Sequence, residues 1–343
     1  MSCRTFALTV AVSLCCLAAV AQAADRVKLL AGNQSSGKIT EITPTEVNLE
    51  LGATKKSFAV NEIDTITFDA EPNELAQARI AVHAGRYGDA VALLNKLAKD
   101  DVARKEVAAD VDFYKAVAAV RLALAGDGSK ADAGRQLFAF EKAHKNSYHY
   151  FETCEALGDL FAALGKFDQA EAYYNKLAAA PWPDYKLRAD VLVGRALVGQ
   201  KAYDRALAKF DDVLAADAKG KDAERQKLAA TLGKASALAG SGKSEQAIQG
   251  VEQVIAKADA ENQELHARAY NVLGNCYLAA GKKKDALLAF LHVDLLYARF
   301  PEQHAEALAN LAKLWTDVDK ADRAAQAQAT LNEKYPGSIW ATK

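Results

Sequence analysis

This chain has almost no excess of charge of either sign. Its 43 Lys and Arg stand against 44 Asp and Glu, a formal net charge of −1 over 343 residues. A polyanion partner needs a broad basic face. The compact basic run Lys282-Lys283-Lys284 falls at a turn and reads as a solvated loop. Nucleic acid is therefore not expected as a partner. Cysteine is scarce as well. Cys3, Cys15 and Cys16 lie in the first 23 residues, leaving Cys154 and Cys276 for the folded protein. They are about three repeat lengths apart, too far for the roughly 7 Å Cα separation a disulfide needs, and are expected as buried free thiols.

Catalytic signatures are missing. The sequence has no His-Glu-x-x-His, no Cys-x-x-Cys, no phosphate-cradling glycine loop and no nucleophile elbow. The six histidines are scattered. His144 and His149 are five apart and do not share a helix face, and His266 and His304 alone make a poor metal site. No enzyme activity, cofactor or metal is expected. Long hydrophobic runs are confined to one place. Arg4, the uncharged run Phe6 to Val20 and the small-x-small site Ala21-Gln22-Ala23 read as a signal peptide over residues 1–23, with the mature chain beginning at Ala24. The run is short for a membrane span, and no second one is long enough, so the mature chain is expected to lack a transmembrane segment. The bulky Leu14 and Cys15 before Cys15 and Cys16 argue against a lipoprotein.

What is present falls into two textures. Residues 24–72 are rich in Val, Ile, Thr and Phe and alternate with period two. Strands are expected over 26–30, 37–42, 46–51, 56–60 and 64–68. Five short strands with tight turns suggest a small closed barrel, since closure removes sticky edges. The Gly-x-Ile-x-x-Ile start at Gly37 and the Val60-Asn61-Glu62-Ile63 turn resemble SH3-like and Sm-like barrels. The module is expected to cap the apolar end of the helical region after it, or to carry a second ligand site. In the latter case the protein would bind cell wall or carbohydrate. The module's own aromatics, Phe58 and Phe68, sit at expected core positions.

Residues 73–343 are Ala-rich and helical, with glycines expected at the bends: Gly85, Gly126 to Gly128, Gly165, Gly199, Gly242 and Gly281. A degenerate pattern recurs about every 36–43 residues, the mark of stacked helical hairpins. Its clearest copy is Leu157-Gly158, Phe161, Gly165-Lys166-Phe167, Ala170, Tyr174, Leu177. It returns around Gly194, Tyr203, Ala206 and Phe210, and around Gly274, Gly281, Ala286 and Phe290.

These residues make the chain resemble the tetratricopeptide-repeat proteins. In that family a small residue in the first helix of each hairpin lets the second pack closely. Gly158, Gly194, Ala235, Gly274 and Ala312 match that position. Ala90, Ala170, Ala206, Ala247, Ala286 and Ala324 match its partner in the second helix. The resemblance implies a mainly α fold: a right-handed α-solenoid of about seven hairpins, starting near residues 71, 114, 151, 187, 228, 267 and 305, after the β module. It implies a protein or peptide partner held in the concave groove. The residues that match groove positions are Glu155, Asp159, Arg188, Arg195, Arg268, Asn271, Asn275 and Asn310. Glu155/Asp159 and Arg188/Arg195 could equally pair with one another across adjacent helices. Asn275 and Asn310 match the asparagines of the family's clamp for a C-terminal carboxylate, but Asn271 stands where its first lysine would be. The ending Tyr335-Pro336-Gly337-Ser338 resembles terminal repeats of envelope-assembly proteins. The expectation is a non-enzymatic scaffold of the bacterial periplasm or cell envelope.

Overall fold

The computed structural model describes residues 24–98 and 102–341. The signal-peptide expectation for residues 1–23 lies outside them. Five strands come first: β1 (Asp25–Leu29), β2 (Gln34–Ile42), β3 (Glu46–Leu51), β4 (Thr54–Ala59) and β5 (Ile63–Thr67). All pair antiparallel, in the order β4-β3-β2-β1-β5. The sheet is not closed into a barrel, which corrects the expectation. β5 pairs with β1, leaving β4 and β5 as the two edges. The apolar face is covered by helices instead. Val27, Val47, Leu49, Phe58, Ile66 and Phe68 are buried in one core with Leu75, Ala78 and Phe113 of the first and third helices. The β4 edge carries exposed Lys55 and Lys56, which discourage pairing with another chain.

Among the described residues, fourteen α-helices follow as seven hairpins: α1 (Asn73–His83) with α2 (Tyr87–Leu94), α3 (Lys105–Leu124) with α4 (Lys130–Ala143), α5 (Tyr150–Ala163) with α6 (Phe167–Ala178), α7 (Pro183–Gly199) with α8 (Tyr203–Ala215), α9 (Lys221–Gly240) with α10 (Ser244–Lys257), α11 (Gln263–Ala279) with α12 (Lys283–Leu296), and α13 (Pro301–Asp317) with α14 (Ala321–Lys334). The second hairpin begins at residue 105, not near 114, because α3 runs for 20 residues before the Gly126–Ser129 turn. Ser129 caps α4 by accepting from the Asp132 backbone amide at 3.2 Å.

The small residues do what the repeat pattern implies. A Cβ on Gly158 would sit 2.3 Å from the Tyr174 ring, on Gly194 2.5 Å from Phe210, and on Gly274 2.6 Å from Phe290. Each aromatic ring of a second helix therefore packs directly against the bare backbone of the first. Other glycines work between hairpins. A Cβ on Gly199 would strike Phe167 of α6, and one on Gly240 would strike Tyr203 of α8. Gly199 is thus a packing residue and not the bend expected of it. The left-handed turn after α7 is made by Lys201 at φ 60°, and after α13 by Asp319 at φ 57°. Gly85, Gly165, Gly242 and Gly281 serve at the matching turns.

Two features tie distant parts of the chain. At the sheet–solenoid junction, Arg79 is buried between Glu71 (2.7 Å) and Asp110 (3.0 Å). Asp110 also accepts from the Tyr148 hydroxyl at 2.9 Å, and the His149 ring stacks on Phe113 with centroids 3.6 Å apart. Burial works against the Arg79 charge, but Glu71 and Asp110 outweigh it and raise its pKa. At the other end, the segment after α14 returns to the α3–α4 turn. The Gly337 amide donates to the Gly126 carbonyl at 3.0 Å, and Lys130 Nζ donates to the Gly337 carbonyl at 2.7 Å. The solenoid therefore closes on itself.

Candidate functional site

Because each hairpin turns a little relative to the last, the first helices of hairpins two to seven face a common interior. Arg121 of α3, Glu155 and Asp159 of α5, Arg188 and Arg195 of α7, Arg225 of α9, Arg268 of α11 and Glu302 of α13 line one cavity of about 680 Å³. Ser338, Ile339 and Trp340 of the returning segment complete its wall. A second cavity of about 980 Å³ shares Arg121, Leu124, Glu264 and Glu302 with the first, and reaches the β5 edge at Ile63, Asp64 and Thr65. Together they form one interior passage.

Its floor is charged, and most of the charges are matched. Arg188 donates to Glu155 at 2.6 Å. Arg121 donates to Asp159 at 3.0 Å, and the Tyr174 hydroxyl holds the other oxygen of Asp159 at 3.0 Å. The large residue that fills the α5–α6 gap thus also fixes a groove carboxylate. Burial, with Asp159 close by, outweighs Arg188 and pushes the Glu155 carboxyl up to about 7. Burial likewise pushes Glu306 up to about 6, against the hydrogen bond from Asn275.

Of the eight residues expected in the groove, Glu155, Asp159, Arg188, Arg195 and Arg268 line the 680 Å³ cavity. The three asparagines lie elsewhere. Asn271 is buried, only 2% exposed, and its side-chain amide donates to the Gln303 carbonyl at 2.9 Å, so it joins α11 to α13. Asn275 donates to Glu306 at 2.9 Å, and Asn310 donates to the Glu306 carbonyl at 3.1 Å. The expected cross-helix pairing is realised by Arg188 with Glu155. Asp159 takes Arg121 of the preceding hairpin instead. Arg121, Glu264, Glu302 and residues 338–340 escaped the sequence reading. Arg121 lies in the hairpin whose register the sequence obscured. Residues 338–340 reach the site only through the closure of the solenoid.

Cys154 and Cys276 are buried and unbridged. Burial pushes their thiols up to about 11 and about 12, so neither is a nucleophile near neutral pH. No cluster of three metal-ligating side chains occurs among the described residues. No helix among them is long and apolar enough to cross a membrane.

The comparisons with known proteins agree with this architecture. The sequence model of the tetratricopeptide repeat matches residues 155–221 and 232–293. A tetratricopeptide repeat protein from Parabacteroides merdae superposes with a TM-score of 0.53 at 17% identity, over 76% of this chain and 92% of that one. Rap protein complexed with competence and sporulation factor superposes with a TM-score of 0.54 at 16% identity, over 78% of this chain and 76% of that one. At such identities the likeness is one of fold. No curated protein matches the sequence. Residues 155–221 and 232–293 match the tetratricopeptide repeat, within a mainly helical solenoid behind an open five-stranded sheet.

Proposed function

We propose that this protein is a non-enzymatic scaffold of the bacterial periplasm or cell envelope. It holds a peptide or protein segment inside its superhelix. The observation that carries the reading is the interior passage, lined by the first helices of six successive hairpins, whose arginines and carboxylates sit on a rigid frame. Arg, Glu and Asp in fixed geometry suit recognition of peptide backbone and charged side chains. The complex of Rap protein with competence and sporulation factor lends the reading support as a solenoid of similar fold with a bound factor. The export part rests on Arg4, the run Phe6 to Val20 and Ala21-Gln22-Ala23. The sheet offers carbohydrate no exposed aromatic platform, since Phe58 and Phe68 are buried.

One experiment addresses both parts. A photoreactive amino acid is placed at Ala229, in the passage, or at Leu295, on the outside of α12. After crosslinking in the native cell, fractionation and mass spectrometry should find an envelope protein whose N-terminus is at or near Ala24. A partner should be attached at Ala229 and not at Leu295. Retention of Met1, or equal crosslinking from both positions, would sink the corresponding part.

A further inference from the structure

The passage contains a charge imbalance that its own residues leave unresolved. Of the cations around the 680 Å³ cavity, Arg121 and Arg188 are held by Asp159 and Glu155. Lys130 is held by the Gly337 carbonyl and Arg225 by Asp222 at 2.8 Å. Two guanidiniums remain. Arg268 of α11 reaches only Glu264 on its own helix, at 3.7 Å, beyond hydrogen-bond range. Arg195 of α7 makes no hydrogen bond or ion pair with any of the described residues.

Arg195 and Arg268 sit two hairpins apart in sequence, yet the curvature of the solenoid brings them to the same cavity. Between them α9 contributes the small Ala229 and the buried Gln226, which leaves room between the two forks. Their closeness shows in their electrostatics. The largest influence on the Arg268 charge is repulsion by Arg195, ahead of burial and ahead of the opposing carboxylates Glu302 and Glu264, and the result lowers its pKa. Like charges confined at one site cost free energy in the empty protein, and a counter-charge placed between them recovers it.

We propose that Arg195 and Arg268 form an anion site that seats a carboxylate of the bound peptide, from its C-terminus or from an Asp or Glu side chain. The inference rests on the interior-binding reading and names the chemistry of its ligand. A guanidinium donates two parallel N–H groups that match a carboxylate. Arg195 has such a pair unengaged and Arg268 holds one only loosely. The neighbouring Glu155 and Asp159 disfavour a multiply charged anion such as phosphate in favour of a singly charged carboxylate on a peptide. The three asparagines take no part, since they are already engaged by Glu306 and Gln303.

The test uses the full mature chain and the arginine side-chain N–H signals in NMR, with those of Arg195 and Arg268 assigned from Arg195→Lys and Arg268→Lys. Four probes are titrated: acetyl-tetraalanine with a free C-terminus, the same peptide as its amide, an amidated acetyl-Ala-Glu-Ala-Ala, and inorganic phosphate. The Arg195 and Arg268 signals should move with a carboxylate-bearing peptide and not with the neutral amide, while those of Arg121 and Arg188 stay put. The two acidic peptides separate a terminal from a side-chain source. Arg195→Gln should weaken the peptide by about tenfold or more, the loss of one charge-assisted contact. It should leave thermal stability unchanged or raised, because it removes a like-charge neighbour. A structural arginine would lower it. The proposal falls if the two signals do not respond, if all arginines respond alike, if phosphate binds as well as the peptides, or if Arg195→Gln destabilises the fold. Crosslinking at Ala229 without any such response would leave the interior-binding reading standing and remove this one.

Discussion

Single side chains set the local terms of this fold, and His149 is the sharpest case. Burial pulls its pKa down, but Asp110 and Glu152 favour the protonated ring and the net effect is upward from 6.5. Nε2 lies 3.4 Å from Asp110 without the alignment of a hydrogen bond, a contact that becomes an ion pair when the ring is protonated. A histidine whose pKa is higher in the folded than in the unfolded state adds stability that is fully present below the unfolded value. That stability is lost as pH rises through the folded one. His149→Asn should therefore lower the unfolding temperature most below about pH 6.5, with the gap narrowing on the alkaline side. Melting curves across pH 5.5 to 9 (chosen to bracket the transition) read this directly. A gap that does not change with pH would show that His149 acts only through its stacking on Phe113.

At the scale of elements, the hairpin contact is the unit that repeats, and it is built on an absent side chain. Gly274→Leu should drive a branched side chain into Phe290, where a single added carbon already falls 2.6 Å from the ring. The cost should be about 1–3 kcal/mol or more, seen as a lower denaturation midpoint. An unchanged midpoint would mean that Phe290 swings away freely. These contacts were readable in advance because they are local. The small residue, the turn and the aromatic ring of Gly158 and Tyr174 lie within one hairpin, and each strand of the sheet came out within three residues at either end. The bend expected at Gly199 was misplaced. Sequence reports which residues tolerate a left-handed turn, and does not show that Lys201 has been made to adopt one. Barrel closure was misjudged for a related reason. Alternation shows that a sheet has an apolar face, and does not show whether helices or the sheet itself cover it. The groove was half legible. The resemblance to the repeat family put Arg188, Arg195 and Arg268 on the inner face, but Asn271, on the same helix as Arg268, turned out to bridge α11 and α13.

For the whole molecule the decisive contact joins residues more than two hundred positions apart. Nothing in a sequence with a repeat near forty residues announces it, because it follows from small rotations summed over hairpins. Its geometry is tight: a Cβ on Gly337 would sit 2.3 Å from the Gly126 carbonyl oxygen. Gly337→Ala should force the clasp open, because the added carbon meets backbone and not a side chain that could turn away. Hydrogen exchange should then quicken both in α14 and around Gly126, though only one end was altered. Faster exchange confined to α14 would show that the clasp does not couple the two ends. An open chain of repeats is held by nearest-neighbour contacts alone, so its last hairpin frays without consulting the second. Joining hairpin seven to hairpin two gives the array a boundary condition, as tying a row of dominoes into a ring leaves none at the end. Local fraying becomes a shared event, and melting of the terminal hairpin becomes cooperative with loss of the passage wall.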